Sequence, residues 1–181
     1  MVEVRVRGAL VTRQRTYMEQ LAGPAHVAAA VNALPPDRRH LYDEATLLSW
    51  VPQGTVRDVT RGVAERLGIS GVELAERVVD ASVYDLCRGP WNILLRMTDD
   101  EALISRAAAI FARAFDAGRL RVTREGPGIF DVVLNGWPGV DDMDLASISA
   151  GIKATLRSVG RSARVDRTRT PDGVCYRVLV L

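Results

Sequence analysis

The stretch from residue 119 to residue 134, RLRVTREGPGIFDVVL, decides the fold, because the hydrophobic period changes within it. Leu120 and Val122 alternate with polar residues, which is the pattern of a β-strand. Gly126-Pro127-Gly128 then indicates a turn. The segment from Ile129 to Leu134 has apolar residues at both alternating sets of positions, which is typical of a strand covered on both faces. We therefore predict a β-hairpin whose second strand is buried.

The rest of the C-terminal third repeats this pattern after one helix. An acidic cluster at residues 141–144 precedes a helical stripe of apolar residues that ends at Val159. Alternation returns over residues 164–169, and residues 171–173, Pro-Asp-Gly, indicate a second hairpin turn. The closing strand covers residues 175–181. The order predicts a ββαββ unit with a four-stranded antiparallel sheet.

Before Gly118 the apolar residues recur at helical spacing instead. Possible capping boxes, Ser70 with Glu73 and Thr98 with Glu101, open two of these helices. The segments with a helical stripe are residues 10–21, 27–34, 56–67, 72–86 and 103–115, with a short helical piece at residues 91–97. The fold class is therefore α+β: a helical region over residues 1–118 packed with the ββαββ unit over residues 119–181.

Composition and charge fit one globular domain. Of 181 residues, 48% are hydrophobic and 25% charged, and no Ser- or Gly-rich linker divides them, so we predict a single α+β domain over residues 1–181. The formal net charge of +2 indicates no nucleic-acid partner, and no apolar run is long enough to span a membrane. Cys87 and Cys175 lie in apolar stretches, which favours two reduced core thiols and a cytoplasmic location, with a single disulfide as the alternative.

Several landmarks carry a resemblance to a known superfamily. They are Arg7-Gly8 at the start of the first helix, Ser49-Trp50-Val51-Pro52, the segment from Arg113 to Gly118, and the closing hairpin with Gly173, Cys175 and Tyr176. With the order of elements, they resemble the superfamily of haem-nitric oxide/oxygen binding (H-NOX) domains, vinyl-reductase-type ligand domains and TRAPP trafficking subunits. Within it, the chain is similar to an uncharacterised family of about 200 residues expanded in myxobacteria. The resemblance implies a pocket between helices and sheet for a small ligand, or the same surface used for dimerisation.

The resemblance raises the question of haem. H-NOX domains hold haem through a histidine of the middle helices and a Tyr-x-Ser-x-Arg motif. Here the histidines are His26 and His40, both before the middle helices, and no tyrosine has a serine two residues later. Because an axial ligand keeps the iron in place, we expect neither H-NOX-type haem nor another cofactor.

Metal and catalytic motifs are also missing from the sequence. The two cysteines and two histidines form no close pair of the kind that structural zinc sites use. The acids at residues 141–144 could ligate Mg²⁺ or Ca²⁺, but helix capping explains them better. No Gly-x-Ser-x-Gly occurs, and the apolar neighbours of Cys87 should raise the pKa of its thiol. We expect no catalytic residues, no metal and no enzymatic activity; an acid or cysteine with a strongly shifted pKa inside a cleft would count against that expectation.

The functional expectation is a non-enzymatic sensor or signalling domain that binds a small apolar or amphipathic ligand between helices and sheet. The alternative is a protein-interaction or scaffold module that acts through a homodimer or a protein partner. The residues proposed to line the pocket are Trp50, Tyr84, Trp91, Phe111 and Phe115. The residues proposed for an interface are Trp137, expected to be exposed, and three arginines of a solvated C-terminal face, Arg164, Arg167 and Arg169.

Overall fold

The computed structural model describes residues 3–87, 98–171 and 173–181. The first part of the chain forms β1 (Arg5–Arg7), α1 (Gly8–Ala22), α2 (Pro24–Asn32), α3 (Pro36–Asp43), β2 (Trp50–Pro52), α4 (Gln53–Leu67) and α5 (Gly71–Cys87). The second part forms α6 (Asp100–Ala114), β3 (Arg119–Gly126), β4 (Ile129–Asn135), α7 (Asp142–Ser158), β5 (Ala163–Thr170) and β6 (Gly173–Val180). The short helical piece predicted at residues 91–97 lies outside the described residues.

The C-terminal part is the predicted ββαββ unit. Its four strands are antiparallel in the order β3-β4-β6-β5, so each hairpin contributes one central strand. In β4, Val132 pairs with Val122 on one side and with Tyr176 on the other. The α+β fold class, with helices packed against an antiparallel four-stranded sheet, is confirmed.

One face of the sheet is buried and the other is open, which corrects the prediction that both faces of β4 are covered. Phe130, Val132 and Leu134 point inward and are almost fully buried, whereas the alternating outward positions of β4 are only half-buried. On the neighbouring strand β6, Arg177 and Leu179 are exposed on the same outer face. The outward positions Ile129 and Val133 are apolar although they are only half-buried, which made this strand look buried in the sequence.

The same alternation corrects the prediction for one cysteine. Cys87 is a buried thiol at the end of α5, as expected. Cys175 pairs with outward-facing Val133 in the sheet, so its half-buried side chain lies on the outer face rather than in the core. Neither of the two cysteines, both of which the structure describes, forms a disulfide.

The buried apolar residues form two clusters that meet along α5. One cluster lies among α1, α2, α4 and the first half of α5, where Val78 belongs to it. The other lies between the inner face of the sheet and α6 and α7, and it includes Cys87. α5 packs along α7, and Phe115 contacts both clusters. The space between α5, α6 and α7 is therefore where the two halves of the chain meet.

A small two-stranded sheet, not predicted from the sequence, ties the N-terminus to this region. β1 and β2 pair antiparallel with Val6 opposite Val51, and Val6 also bridges to Phe115. Arg5 donates from its backbone and side chain to the Asp116 carboxylate, at 2.7 and 2.6 Å. Three residues are too few to show the period of a strand. The helix α3 was also not predicted, because eight residues are too few to show the period of a helix.

Helix caps fix the ends of the helices. The Ser70 hydroxyl accepts from the Glu73 N–H at 3.0 Å, as expected at the start of α5. At α6 the predicted cap is wrong by one residue, because the Asp99 carboxylate accepts from the Ala102 N–H at 2.8 Å, and the helix ends at Ala114 rather than near Gly118. No helix in the described ranges is long and apolar enough to cross a membrane.

Candidate functional site

A cavity of about 130 Å³ lies where α5, α6 and α7 meet the sheet. It is lined by apolar residues with a polar group at one side. The lining residues are Leu10, Gln14, Gln53, Val79, Ser82, Val83, Leu86, Ala107, Ile110, Phe111, Ala114, Phe115, Leu120, Trp137, Asp144, Ser147, Ile148, Gly151, Ile152 and Thr155. Among them Leu86 and Ile110 are 47% and 38% exposed, so the cavity opens to solvent between the end of α5 and α6.

Three aromatic rings form one wall of the cavity. The centroid of Phe115 lies 4.8 Å from that of Phe111 and 4.7 Å from that of Trp137, and the Phe111–Trp137 distance is 5.3 Å. All three pairs are tilted, a geometry that favours contact between ring edges and faces. Gly118 allows this packing: its φ is +80°, and a Cβ there would lie 2.9 Å from Trp137 Cε3. The loop between α6 and β3 therefore turns tightly beside the indole.

The opposite side of the cavity is polar. Asp144 sits in the first turn of α7 and is 97% buried, since only 3% of its surface is exposed. Its Oδ1 accepts from Gln53 Nε2 at 2.9 Å, and its Oδ2 accepts from the Asp141 backbone N–H at 3.2 Å. Arg57 Nη1 lies 3.6 Å from Asp144 Oδ2 and 3.3 Å from Asp141 Oδ2. Two helix starts, those of α4 and α7, thus meet at this end.

Helix capping places the buried carboxylate. Asp141 and Asp144 form a reciprocal capping box, because the Asp141 side chain also accepts from the Asp144 N–H at 3.0 Å. This confirms the capping interpretation of the acidic cluster. Burial raises the pKa of the Asp144 carboxyl, and the hydrogen bond from Gln53 and the charge of Arg57 oppose that rise.

The polar end also contains an acceptor that no described residue satisfies. Gln53 Oε1 is buried and has no hydrogen-bond partner among the described residues, while the NH₂ of the same amide is held by Asp144. A second, smaller space of about 30 Å³ adjoins it, bordered by Gln53, Arg57, Asp144 and Ser147 among others. Two donors near the cavity, Trp137 Nε1 on the aromatic wall and Arg57 Nε at the polar end, are likewise buried without a partner among the described residues.

The structure brings together two of the five residues proposed to line the pocket. Phe111 and Phe115 line the cavity. Trp50 and Tyr84 are not among its described lining: the Trp50 ring lies under the Arg7 guanidinium, at 4.1 Å from its centroid, and Tyr84 lies under that of Arg157, at 4.6 Å. The fifth, Trp91, falls outside the described residues.

Trp137 was expected to be exposed at an interface and is instead 8% exposed, inside the aromatic wall. Its position between a strand and a helix suggested a surface loop, but the contacts with both phenylalanines draw the ring inward. Arg164, Arg167 and Arg169 are exposed as expected; Arg164 pairs with Asp166 and Arg169 with Asp142. Whether these arginines meet a partner stays a prediction.

The polar end of the cavity was not predicted from the sequence, which had been expected to place no polar cluster in the interior. Gln53 and Asp144 are 91 residues apart, and each reads as an ordinary residue of a helix start. The only signal was the density of acids at residues 141–144. Two of them, Asp141 and Asp144, form the capping box, and Asp144 is also the one that is buried.

Comparison with solved structures gives a consistent answer about the fold. An Fe(II) unliganded H-NOX protein from K. algicida aligns with a TM-score of 0.75 at 10% identity, over 97% of this chain and 96% of that chain. The chain has the H-NOX fold. An oxygen-binding H-NOX domain related to soluble guanylate cyclases aligns with a TM-score of 0.63 at 16% identity, over 96% of this chain and 93% of that chain. No protein-family profile and no curated protein matches the sequence.

A third structural neighbour concerns haem directly. A structure on modulating haem redox potential through porphyrin distortion aligns with a TM-score of 0.63 at 15% identity, over 96% of this chain and 98% of that chain. These identities are low, so the comparisons establish the H-NOX fold and leave the ligand to be argued from this chain's own side chains.

The residues present do not fit an axially ligated haem. Among the described residues, the cavity lining contains no histidine, cysteine, tyrosine or methionine. His26 and His40 are exposed on α2 and α3, and the stretch 88–97, outside the described residues, contains one methionine, Met97, and no histidine, cysteine or tyrosine. The cavity is also close in size to one of about 150 Å³ that holds benzene, whereas a porphyrin has four pyrrole rings.

Other reactive groups are not gathered at the cavity. Across residues 3–87, 98–171 and 173–181, no three His, Cys, Asp or Glu side chains are arranged to hold a metal ion. Burial raises the pKa of the Cys87 thiol, although hydrogen bonds with Ser158 and Thr155 oppose the rise. A thiol with a raised pKa is a weak nucleophile at neutral pH.

Proposed function

We propose that this chain is a non-enzymatic sensor domain that binds a small amphipathic organic molecule in the cavity, without haem. The observation that carries the proposal is the cavity itself: an aromatic wall at one side faces a buried hydrogen-bonding group at the other. Small-molecule sites are typically apolar pockets with a few fixed polar groups, and this cavity has that form.

The size of the cavity limits the ligand. A cavity of about 130 Å³ compares with the roughly 150 Å³ cavity that accommodates benzene, so the ligand is of about one aromatic ring. Leu86 and Ile110 at the mouth give it an entry path. A molecule bound there contacts α5, α6 and α7 together, and its binding energy would therefore favour one arrangement of these helices over others.

The buried carboxylate is the best argument for an enzyme, since its pKa is raised inside a cleft. Its geometry favours a structural role instead. Both oxygens of Asp144 are engaged, one by Gln53 and the other by the Asp141 N–H and Arg57, which supports a role in holding the helix starts together rather than in proton transfer. No described nucleophile with a base beside it borders the cavity, which supports the non-enzymatic proposal.

Three finer statements belong to the same proposal. The oxygen-binding neighbour supports a sensing role by analogy of fold alone. Membership of the myxobacterial family rests on the sequence landmarks given above. A cytoplasmic location rests on two cysteines, both described, that form no disulfide.

The proposal is tested by binding of toluene, followed by backbone amide NMR. Toluene should shift the amides of residues that line the cavity, and Ala107→Phe, which fills it from α6, should abolish those shifts. Ala109→Phe is the matched control, because Ala109 is exposed on the same helix. Native mass spectrometry of the protein purified from its own source should show a bound small molecule. The absence of shifts with both toluene and phenol in the wild-type protein, or equal toluene shifts in Ala107→Phe, would contradict the proposal.

A second function, self-association through the outer face of the sheet, has one observation in its favour. Ile129 and the 38%-exposed Leu179 are paired there on adjacent strands. Sedimentation analysis at high concentration should then show a dimer that Leu179→Arg dissociates. A monomer at every concentration would exclude this function and leave the cavity proposal intact.

A further inference from the structure

Resting on the proposed function, we propose that the cavity selects a neutral one-ring ligand that carries an N–H or O–H donor, and that Gln53 Oε1 accepts the hydrogen bond from it. The ligand's ring would lie toward the Phe111, Phe115 and Trp137 wall. Phenols and anilines have this chemistry, whereas plain hydrocarbons and carboxylates lack it.

The first step is the orientation of the Gln53 amide. A glutamine side chain has one acceptor and two donors at opposite ends of its amide. The Asp144 carboxylate can only accept, and its Oδ1 lies 2.9 Å from Gln53 Nε2. Asp144 is itself held by the Asp141 N–H at 3.2 Å. The amide is therefore fixed with its NH₂ on the carboxylate and its carbonyl oxygen directed elsewhere.

The second step is the condition of that carbonyl oxygen. Gln53 Oε1 is buried and has no partner among the described residues, and Gln53 lines both the large cavity and the smaller space beside it. A buried acceptor without a partner is costly, so a ligand that supplies a donor gains more here than one that does not. Trp137 Nε1, a buried donor without a described partner, lies on the aromatic wall instead, so a donor on the ligand is favoured at the Gln53 end of the cavity.

The third step is charge. Two carboxylates, Asp141 and Asp144, face one guanidinium, that of Arg57, at the polar end. Both carboxylates lie within 3.6 Å of that single cation, which leaves the group with a formal net negative charge. An anionic ligand would meet this net charge in a place shielded from water, so we expect carboxylate-bearing molecules to bind more weakly than neutral ones.

The experiment uses phenol, toluene and benzoate as probes of the full-length protein, with dissociation constants measured by NMR titration. Phenol and toluene are similar in shape, but only phenol has a donor. In Gln53→Met, which removes the acceptor and keeps the length of the side chain, phenol should bind about tenfold more weakly while toluene is unchanged. Gln20→Met, at an exposed position of α1, is the matched control and should leave both constants unchanged. Benzoate should bind the wild-type protein more weakly than phenol and toluene.

The outcomes separate the two proposals. If toluene binds the cavity and Gln53→Met affects phenol and toluene equally, or neither, the donor selectivity is wrong and the cavity function stands. If neither toluene nor phenol binds the wild-type protein, both proposals fail. If Gln53→Met does not fold, the NMR resonance of the Gln53 side-chain carbonyl carbon in the wild-type protein is measured instead. It should shift when phenol is added and not when toluene is added, and equal shifts would overturn the donor selectivity.

Discussion

Gly151→Ala is expected to stabilise the protein, because Gly151 lies inside α7 beside the cavity. A Cβ built at this position would have its nearest neighbour, Val79 Cγ1, at 3.8 Å, which is an ordinary van der Waals contact. Its backbone is helical, so alanine adopts it without strain. The added methyl group would occupy part of the space that α5 and α7 leave between them.

The size of the effect follows from two contributions. Glycine in a helix interior is about 1 kcal/mol less favourable than alanine, mainly because glycine has more conformational freedom in the unfolded chain. A partly buried methyl group adds up to about 0.8 kcal/mol. We therefore expect the free energy of unfolding to increase by about 1 kcal/mol. With a urea dependence of about 2 kcal/mol per molar, the unfolding midpoint should rise by about 0.5 M.

Urea unfolding followed by far-UV circular dichroism measures this change, and Gly8→Ala provides the contrast. Gly8 is also helical, but a Cβ there would lie 2.0 Å from the Thr46 carbonyl oxygen. Helix propensity alone predicts a gain at both positions, whereas packing predicts a gain at Gly151 and a loss of about 2 kcal/mol at Gly8. A lowered urea midpoint for Gly151→Ala would refute the view that open space lies beside Gly151. Equal shifts of the midpoint in Gly151→Ala and Gly8→Ala would refute it as well.

Three further predictions concern other parts of the molecule. Asp116→Asn should lower the free energy of unfolding by about 1 kcal/mol at pH 7, because the substitution removes the charged partner of Arg5. Burial alone would raise the pKa of Asp116, but the hydrogen bonds and the charge of Arg5 lower that pKa below its ordinary value of 3.8. The wild-type advantage should fade as the pH falls through and below 3.8, and a difference that persists in acid would contradict this assignment. Asp141→Ala should cost about 1 kcal/mol in urea unfolding through the lost cap of α7, and an unchanged midpoint would show that the cap is dispensable. In the native protein a thiol reagent should modify half-buried Cys175 before buried Cys87, and mass spectrometry that finds the reverse order would place Cys175 in the core.

The periodicity of the sequence was sufficient to predict the fold class. β3 and β5 alternate, β4 and β6 are short apolar runs, and a Pro-containing turn interrupts each hairpin, so local chemistry defines the ββαββ unit without reference to the rest of the chain. The helical stripes were equally clear because their apolar faces are continuous over several turns.

The features that could not be predicted depend on contacts between distant segments. The periodicity of β6 shows that Cys175 and Tyr176 lie on opposite faces, but only the position of α7 decides which face is buried. Trp137 follows a strand and precedes a proline, which describes a surface turn equally well; its burial depends on Phe111 and Phe115, more than 20 residues earlier. The pairing of Gln53 with Asp144 has no local signature, because both residues also make ordinary helix starts.

The polar end of the cavity follows from the way the helices begin. α7 needs an acceptor in its first turn to complete its capping box, and Asp144 supplies it while facing the interior. α4 begins immediately after β2, so its first residue, Gln53, is brought against the same carboxylate. One carboxylate thus completes a helix cap and orients the amide that faces the cavity. The cavity lies between helices and sheet, and in the proposed ligand site the polar residues that would meet the ligand are the same ones that begin α4 and α7.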